Sequence, residues 1–306
     1  MISLVGEQPM PVLLPILREQ PPVAVLAHTE RTRRVAENVK RVVEIRGDLA
    51  ARMSVQLCGV DPYDVGRVRQ AILEHMREQG WNEDQVLYNL TGGTKTMILA
   101  AYELARNASA PYCYLESEKG QSVLYRYEVH EGWSTLQGVS TPLGGLLTID
   151  DYLYAHGFFN FRDSLEDKSA FFATVWGEVV ALQGTGVLHE ARPSVNLYGS
   201  GLVDVDMVVR FENQVAVAEV KSGNNVNSLK WIKQLNTAAR PTTLGTYTKR
   251  FGIVDRQPQT QYREIAELQG IQVVVLDKSG GSTGLSDGDR ETLRAAILSA
   301  FGRTGL

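Results

Sequence analysis

The chain has 306 residues, of which 43% are hydrophobic and 22% charged, with a net charge of −4. These values fit a globular protein with enough chain for two domains, and they exclude a strongly basic nucleic-acid coat. No apolar run reaches the roughly 20 residues of a membrane-spanning helix. Met1 to Pro15 has no basic segment ahead of its apolar stretch, so no signal peptide is expected. The two cysteines, Cys58 and Cys113, are too few for a disulfide framework, and a cytoplasmic location is expected.

In chain order, Pro22 to Ala27 predicts a short buried strand, and Thr32 to Arg46 a helix with Val35, Val39, Val42 and Val43 on one side. Val55 to Val60 predicts a second strand and Val65 to Gln79 a helix. Gln85 to Leu90 predicts a third strand, followed by a glycine-containing turn over Thr91 to Lys95 and a helix over Thr96 to Arg106. This alternation predicts a parallel sheet covered on both faces. Tyr112 to Leu115 and Ser122 to Glu128 add strands around a Lys119-Gly120 turn. Gly138 to Gly145 is rich in Gly, Ser, Thr and Pro and reads as a boundary. The expected division is 1–142, a connector over 143–164 with a helix from Leu147 to Arg162, and a second domain over 165–306. That domain predicts a helix over Leu165 to Leu182 and strands over Val187 to Val195, Asp204 to Arg210 and Val215 to Val220. A helix over Asn227 to Ala239, a strand over Ile271 to Asp277 and a helix over Arg290 to Phe301 follow. The order is that of an α+β or mixed α/β domain.

Gly201 to Gly223, GLVDVDMVVRFENQVAVAEVKSG, carries the strongest chemical signal. Asp206 stands near the start of one strand, Phe211 to Gln214 makes a turn, and Glu219 and Lys221 lie two residues apart on the next strand. Period two puts Glu219 and Lys221 on one face, and the hairpin returns Asp206 beside them. Two carboxylates suit a hard divalent cation such as Mg2+ or Mn2+. Such an ion polarises a phosphodiester and acidifies water, and a neighbouring lysine stabilises charge on the phosphate oxygens.

The pattern Asp206…Glu219-Val220-Lys221 resembles the PD-(D/E)xK restriction-endonuclease-like nucleases. The resemblance implies Asp206, Glu219 and Lys221 as catalytic residues, with Asp206 and Glu219 as metal ligands. It also implies Glu178, on the preceding helix, as a further catalytic and metal-binding acid. Asp204 would assist from the strand of Asp206, and Gln234 from the following helix. Lys230, Lys233 and Arg240 on that helix would meet phosphates.

The second signal is Asn89-Leu90-Thr91-Gly92-Gly93-Thr94-Lys95-Thr96-Met97, between a strand and a helix. Glycines allow close backbone approach, a helix N-terminus offers N–H groups, and Lys95 brings charge, so the segment reads as an anion cradle. It matches neither the Walker A spacing nor the dinucleotide fingerprint. Thr29, after the first predicted strand, would face the same ligand from the same sheet edge. With the helix that follows it, this loop resembles the CARF domain, the Rossmann-like sensor of cyclic oligoadenylates in type III CRISPR systems. Asn89, Thr91, Gly92, Gly93, Thr94, Lys95 and Thr29 would then hold the ligand. The whole chain resembles the CARF-fused CRISPR ancillary nucleases activated by cyclic tetra-adenylate. The resemblance implies a homodimer with one cyclic ligand across its twofold axis, and cleavage of DNA, RNA or both with Mn2+ or Mg2+. The alternative is a nucleotide-sensing regulator that binds nucleic acid without cutting.

Overall fold

The computed structural model describes residues 1–118, 120–130, 133–138, 142–163, 168–197, 203–276 and 284–303. Lys119, positions 139–141 of the expected boundary, 165–167 of the expected helix, 201–202 and Asp277 lie outside the described residues. The chain divides into two compact units, one of 1–146 with 154–157 and one of 147–153 with 158–306. Among the described residues no helix is long and apolar enough to cross a membrane.

The first unit contains β1 (Ile2–Leu4), α1 (Met10–Glu19), β2 (Val23–His28), α2 (Arg33–Ile45) and the single turn α3 (Gly47–Ala50). It continues through β3 (Ser54–Gly59), α4 (Val65–Glu78), β4 (Tyr88–Asn89), α5 (Lys95–Asn107), β5 (Tyr112–Glu118), β6 (Gln121–His130) and β7 (Trp133–Leu136). The strand order is β3-β2-β1-β4-β5-β6-β7. The first five strands pair in parallel, and β6 and β7 extend the sheet antiparallel. Along β2, Val25 and Ala27 join a core with Val68, Ile72 and Met76 of α4 and Met97 and Leu104 of α5. Ala24 and Leu26, which alternate with them, are equally buried, so both faces of the sheet are covered.

The order reverses at β1. The chain moves outward through β2 and β3, then returns to lay β4 on the other side of β1. Ligands of open α/β sheets bind at such a switch point, beyond the carboxyl ends of the strands. The sequence reading does not include β1, a three-residue strand, or the helix α1 that follows it. Pro9 and Pro11 fall at the first turn of α1, where a missing N–H costs no helical bond, and the helix carries Pro15 inside it.

The second unit takes in most of α6 (Ile149–Ala155), followed by β8 (Phe161–Asp163), α7 (Ala170–Gly184), β9 (Glu190–Leu197), β10 (Val203–Phe211) and β11 (Gln214–Lys221). It continues with α8 (Leu229–Ala238), β12 (Lys249–Val254), α9 (Thr260–Leu268), β13 (Gln272–Val275) and α10 (Asp287–Ala300). The sheet order is β13-β12-β11-β10-β9-β8, antiparallel from β8 to β11 and parallel from β11 to β13. The expected helix from Leu147 to Arg162 is shorter. It stops before Gly157, whose φ of 90° no helix accommodates, and the chain re-enters as strand β8. Residues 240–270 supply β12 and α9, which the periodicity did not single out.

Met207 and Val209 of β10 and Ala218 and Val220 of β11 share a core with Phe172, Val175 and Val179 of α7 and Leu293 and Ile297 of α10. By strand alternation Asp206, Glu219 and Lys221 belong to the opposite face, over which α8 lays the buried Trp231.

Candidate functional site

A hairpin builds the acidic site. Phe211 pairs with Gln214 across a two-residue turn, and the antiparallel ladder runs back to Met207 opposite Ala218. Asp206 is the fourth residue of β10, one step beyond that ladder, so it stands inside its strand and not at the start. The β9 ladder also passes over it, pairing Val205 with Val195 and Met207 with Pro193, while the intervening Ser194 sits at φ 45°. The Val220 N–H bonds the Asp206 side chain, reaching Oδ2 at 2.8 Å.

Lys221 Nζ donates to Asp206 Oδ2 at 2.7 Å and lies 2.5 Å from Glu219 Oε2, so one ammonium joins both acids. A second ammonium, Lys168 Nζ, donates to Asp206 Oδ1 at 2.8 Å. Lys168, Ser169, Phe172, Asp206, Val220 and Lys221 line a cavity of about 230 Å³ with Ser222 and Asn225. Beyond Lys221 the backbone is fixed by the buried Asp255, whose two carboxylate oxygens accept the Gly223 N–H at 3.1 and 3.0 Å.

The charges are coupled. Burial pushes the Asp206 carboxyl up, but Lys221 and the hydrogen bonds from Lys168, Lys221 and Val220 outweigh it and hold the group below the ordinary value. Burial, and then the neighbouring Asp206 carboxylate, push Glu219 up to about 8 despite Lys221. Burial alone would lower Lys221, yet Glu219 and Asp206 together raise it. The three groups thus oppose one another: Lys221 favours charge on both acids, while burial and Asp206 disfavour it on Glu219. Among the described residues no group of three or more His, Cys, Asp and Glu side chains gathers as a metal cage. The pair Asp206 and Glu219 fits a hard divalent cation on its own terms. Both are oxygen donors that converge on the Lys221 ammonium, and the 2% exposed Glu219 is buried where a positive partner is favoured.

The other expected contributors sit elsewhere. Glu178 is on α7, across the sheet from Asp206 and Glu219. It faces Arg290 of α10 at 3.5 Å and lines a separate cavity with Arg294. The structure therefore does not bring Glu178 to the acidic pair, because α7 packs on the face opposite theirs. Asp204 is exposed, as are Lys230, Lys233 and Arg240, and Gln234 is half-buried on α8. Trp231 is core, with its indole N–H bonded to the Val226 carbonyl at 3.1 Å. Sequence reasoning missed Lys168, whose only signal is its place just ahead of the α7 cap Ser169, and Asp255, at the end of a strand it did not detect.

In the first unit the glycine loop follows β4 at the switch point. A Cβ on Gly92 would collide with the Leu4 carbonyl oxygen, and Gly93 adopts φ 79°. Both glycines are thus required by contact with the end of β1, whatever binds there. Asn89 is fully buried, and its Oδ1 accepts the Thr91 N–H at 3.1 Å and the Thr91 hydroxyl at 2.6 Å. The Thr91 hydroxyl in turn accepts the Leu115 N–H at 2.8 Å. These two side chains hold the loop to β5. Thr94 caps α5, accepting the Met97 N–H at 3.2 Å, and donates to the Pro62 carbonyl at 3.1 Å. Thr29 is buried and tied to Thr32. It follows β2, two strands from β4 and so about 10 Å away across the sheet. Lys95 is exposed at the first position of α5, beside the positive end of the helix dipole.

Residues 1–152 match the Card1 CARF domain family. This part of the chain is a CARF domain of the Card1 type. The chain is also similar to Can2 from Sulfobacillus thermosulfidooxidans, solved in complex with cyclic tetra-adenylate. That likeness has 14% identity, a TM-score of 0.73, and coverage of 97% of this chain and 96% of that one. VC1899 from Vibrio cholerae shares 14% identity at a TM-score of 0.68, over 98% of both chains. A type III CRISPR defence DNA nuclease activated by cyclic oligoadenylate shares 18% identity at a TM-score of 0.58, over 97% of this chain and 51% of that one. At these identities the likeness is one of fold, and it spans the CARF domain and the second, mixed sheet alike. No curated protein matches the sequence.

Proposed function

We propose that this CARF protein is a divalent-metal-dependent endonuclease of type III CRISPR antiviral defence, switched on by cyclic tetra-adenylate and cutting DNA, RNA or both. The observation that carries this reading is the Lys221 ammonium shared between Asp206 and Glu219 beside a cavity, in a chain whose other half is a CARF domain. In this reading residues 1–142 sense, 143–164 connect and 165–306 cut, in the cytoplasm.

Asp206 and Glu219 would hold Mn2+ or Mg2+. When bound, the cation supplies polarisation of the phosphodiester and a more acidic water. Its donors hold the Asp206 carboxyl below the ordinary value, so it would meet the cation as a carboxylate. Lys221 lines the cavity and faces the charge that builds on the phosphate oxygens. Trp231 and the strand beside Glu219 keep water away from the buried acid. In the sensor, the switch point between β1 and β4 would take the ligand. Lys95 and the backbone of Gly92 and Gly93 would meet its phosphates, while Asn89, Thr91 and Thr94 fix the loop. A homodimer would give a cyclic ligand two equal half-sites.

The test is incubation with plasmid DNA and with RNA in Mn2+, with and without each cyclic oligoadenylate. Cleavage should need both cation and activator, and Glu219→Gln and Lys221→Ala should stop it while activator binding survives. Full cutting by both variants, or none by wild type under any condition, would refute the assignment.

A further inference from the structure

We propose that Lys168 is a tethered counter-cation of this site, which occupies Asp206 Oδ1 and competes there with the divalent ion. The inference rests on the metal-dependent reading above. Asp206 accepts hydrogen bonds on both oxygens, but they are divided. Oδ2 receives the Val220 N–H and Lys221, both on the strand that carries Glu219, whereas Oδ1 receives Lys168. Lys221 and Val220 thus set the aspartate's orientation from β11. Lys168 comes from outside the sheet, immediately before the Ser169 cap of α7. It is fixed by the Asp206 pair at 2.8 Å and lies 5.3 Å from the centre of the Phe172 ring. Its side chain is 28% exposed and lines the cavity, so it can leave Oδ1 without unpacking the core.

A carboxylate that already carries two ammonium groups and a backbone N–H has little negative charge to offer a third positive partner. A cation that takes Oδ1 must first displace Lys168. Lys221 bonds the other oxygen, Oδ2, so a cation can reach Oδ1 without first displacing it. Removing the Lys168 charge should therefore raise the affinity of the empty site for metal, the reverse of what loss of a ligand does.

The test is Mn2+ binding to the full chain without nucleic acid, followed by electron paramagnetic resonance of the free ion. Lys168→Met and Lys168→Gln should each bind about five-fold more tightly than wild type, the effect of deleting one ion pair worth about 1 kcal/mol. Lys168→Arg should restore the wild-type constant, a result that a change in packing alone would not give. Unfolding midpoints report whether each variant is folded, and either neutral variant suffices. Unchanged or weaker Mn2+ binding by a folded neutral variant overturns the inference and leaves the metal site standing. Mn2+ binding that ignores Asp206→Asn removes the metal reading, and this inference with it.

Discussion

Trp231 and Gly252 are fitted to each other: the indole lies over the glycine backbone, and a Cβ there would collide with the ring. Gly252 is also the register partner of Glu219 in the parallel pair of β11 and β12. The missing side chain thus lets an aromatic plate close over the strand beside the buried acid. Gly252→Ala should lower stability by about 1–3 kcal/mol, since a ring 1% exposed has nowhere to move. Urea unfolding measures the loss, and an unchanged midpoint would mean that the ring has room after all.

Glu219 links the site to pH. Its folded value of about 8 exceeds the ordinary 4.5, so the folded state holds the proton more tightly than the unfolded chain. That contribution is complete below about pH 4.5 and disappears as pH rises through about 8. Glu219→Gln has no proton to lose. In a chelating buffer the variant should therefore gain on wild type in unfolding free energy as pH rises across this window. Asp206, held below its ordinary value, titrates under the window and does not blur it. Parallel pH curves for the two proteins would contradict the coupling.

The loop residues of the sensor should separate into two classes. Thr91→Val leaves the Leu115 N–H without its acceptor and takes one of two donors from Asn89 Oδ1, at a cost of about 1–3 kcal/mol. Lys95→Ala removes an exposed charge and should change stability by no more than about 0.5 kcal/mol. Only the second should shift the activator concentration needed for cleavage at constant stability. If Lys95→Ala leaves that dose-response curve in place, the phosphate contact assigned to it is wrong.

Glu178→Ala should keep metal-dependent cleavage. The residue is across the sheet, and its partner Arg290 is half-exposed, so the lost pair is worth about 1 kcal/mol at most. A loss of cleavage comparable to that of Asp206→Ala would place α7 in the chemistry.

The acidic site was legible because the hairpin is local. Alternation fixes which residues share a face, and the turn at Glu212-Asn213 fixes which ones meet. Glu178 stands apart from the acidic pair because its position depends on which face of the sheet α7 covers, a tertiary choice that helical periodicity does not encode. The glycine loop reads in sequence as an anion cradle, yet Gly92 and Thr91 are explained by contacts with Leu4 and Leu115, residues far off in the chain, and Asn89 by its bonds to Thr91. The parallel sheet is expected, but β1 is only three residues long, too short for alternation to mark it.

The contact between Gly92 and Leu4 has a mechanical consequence. With no side chain as a cushion, the loop after β4 rests directly on the backbone of the middle strand, and Asn89 and Thr91 rivet its other side to β5. The loop is therefore held at both ends of its turn, by β1 beneath it and by β5 beside it, and shares its footing with two strands of the parallel part of the sheet.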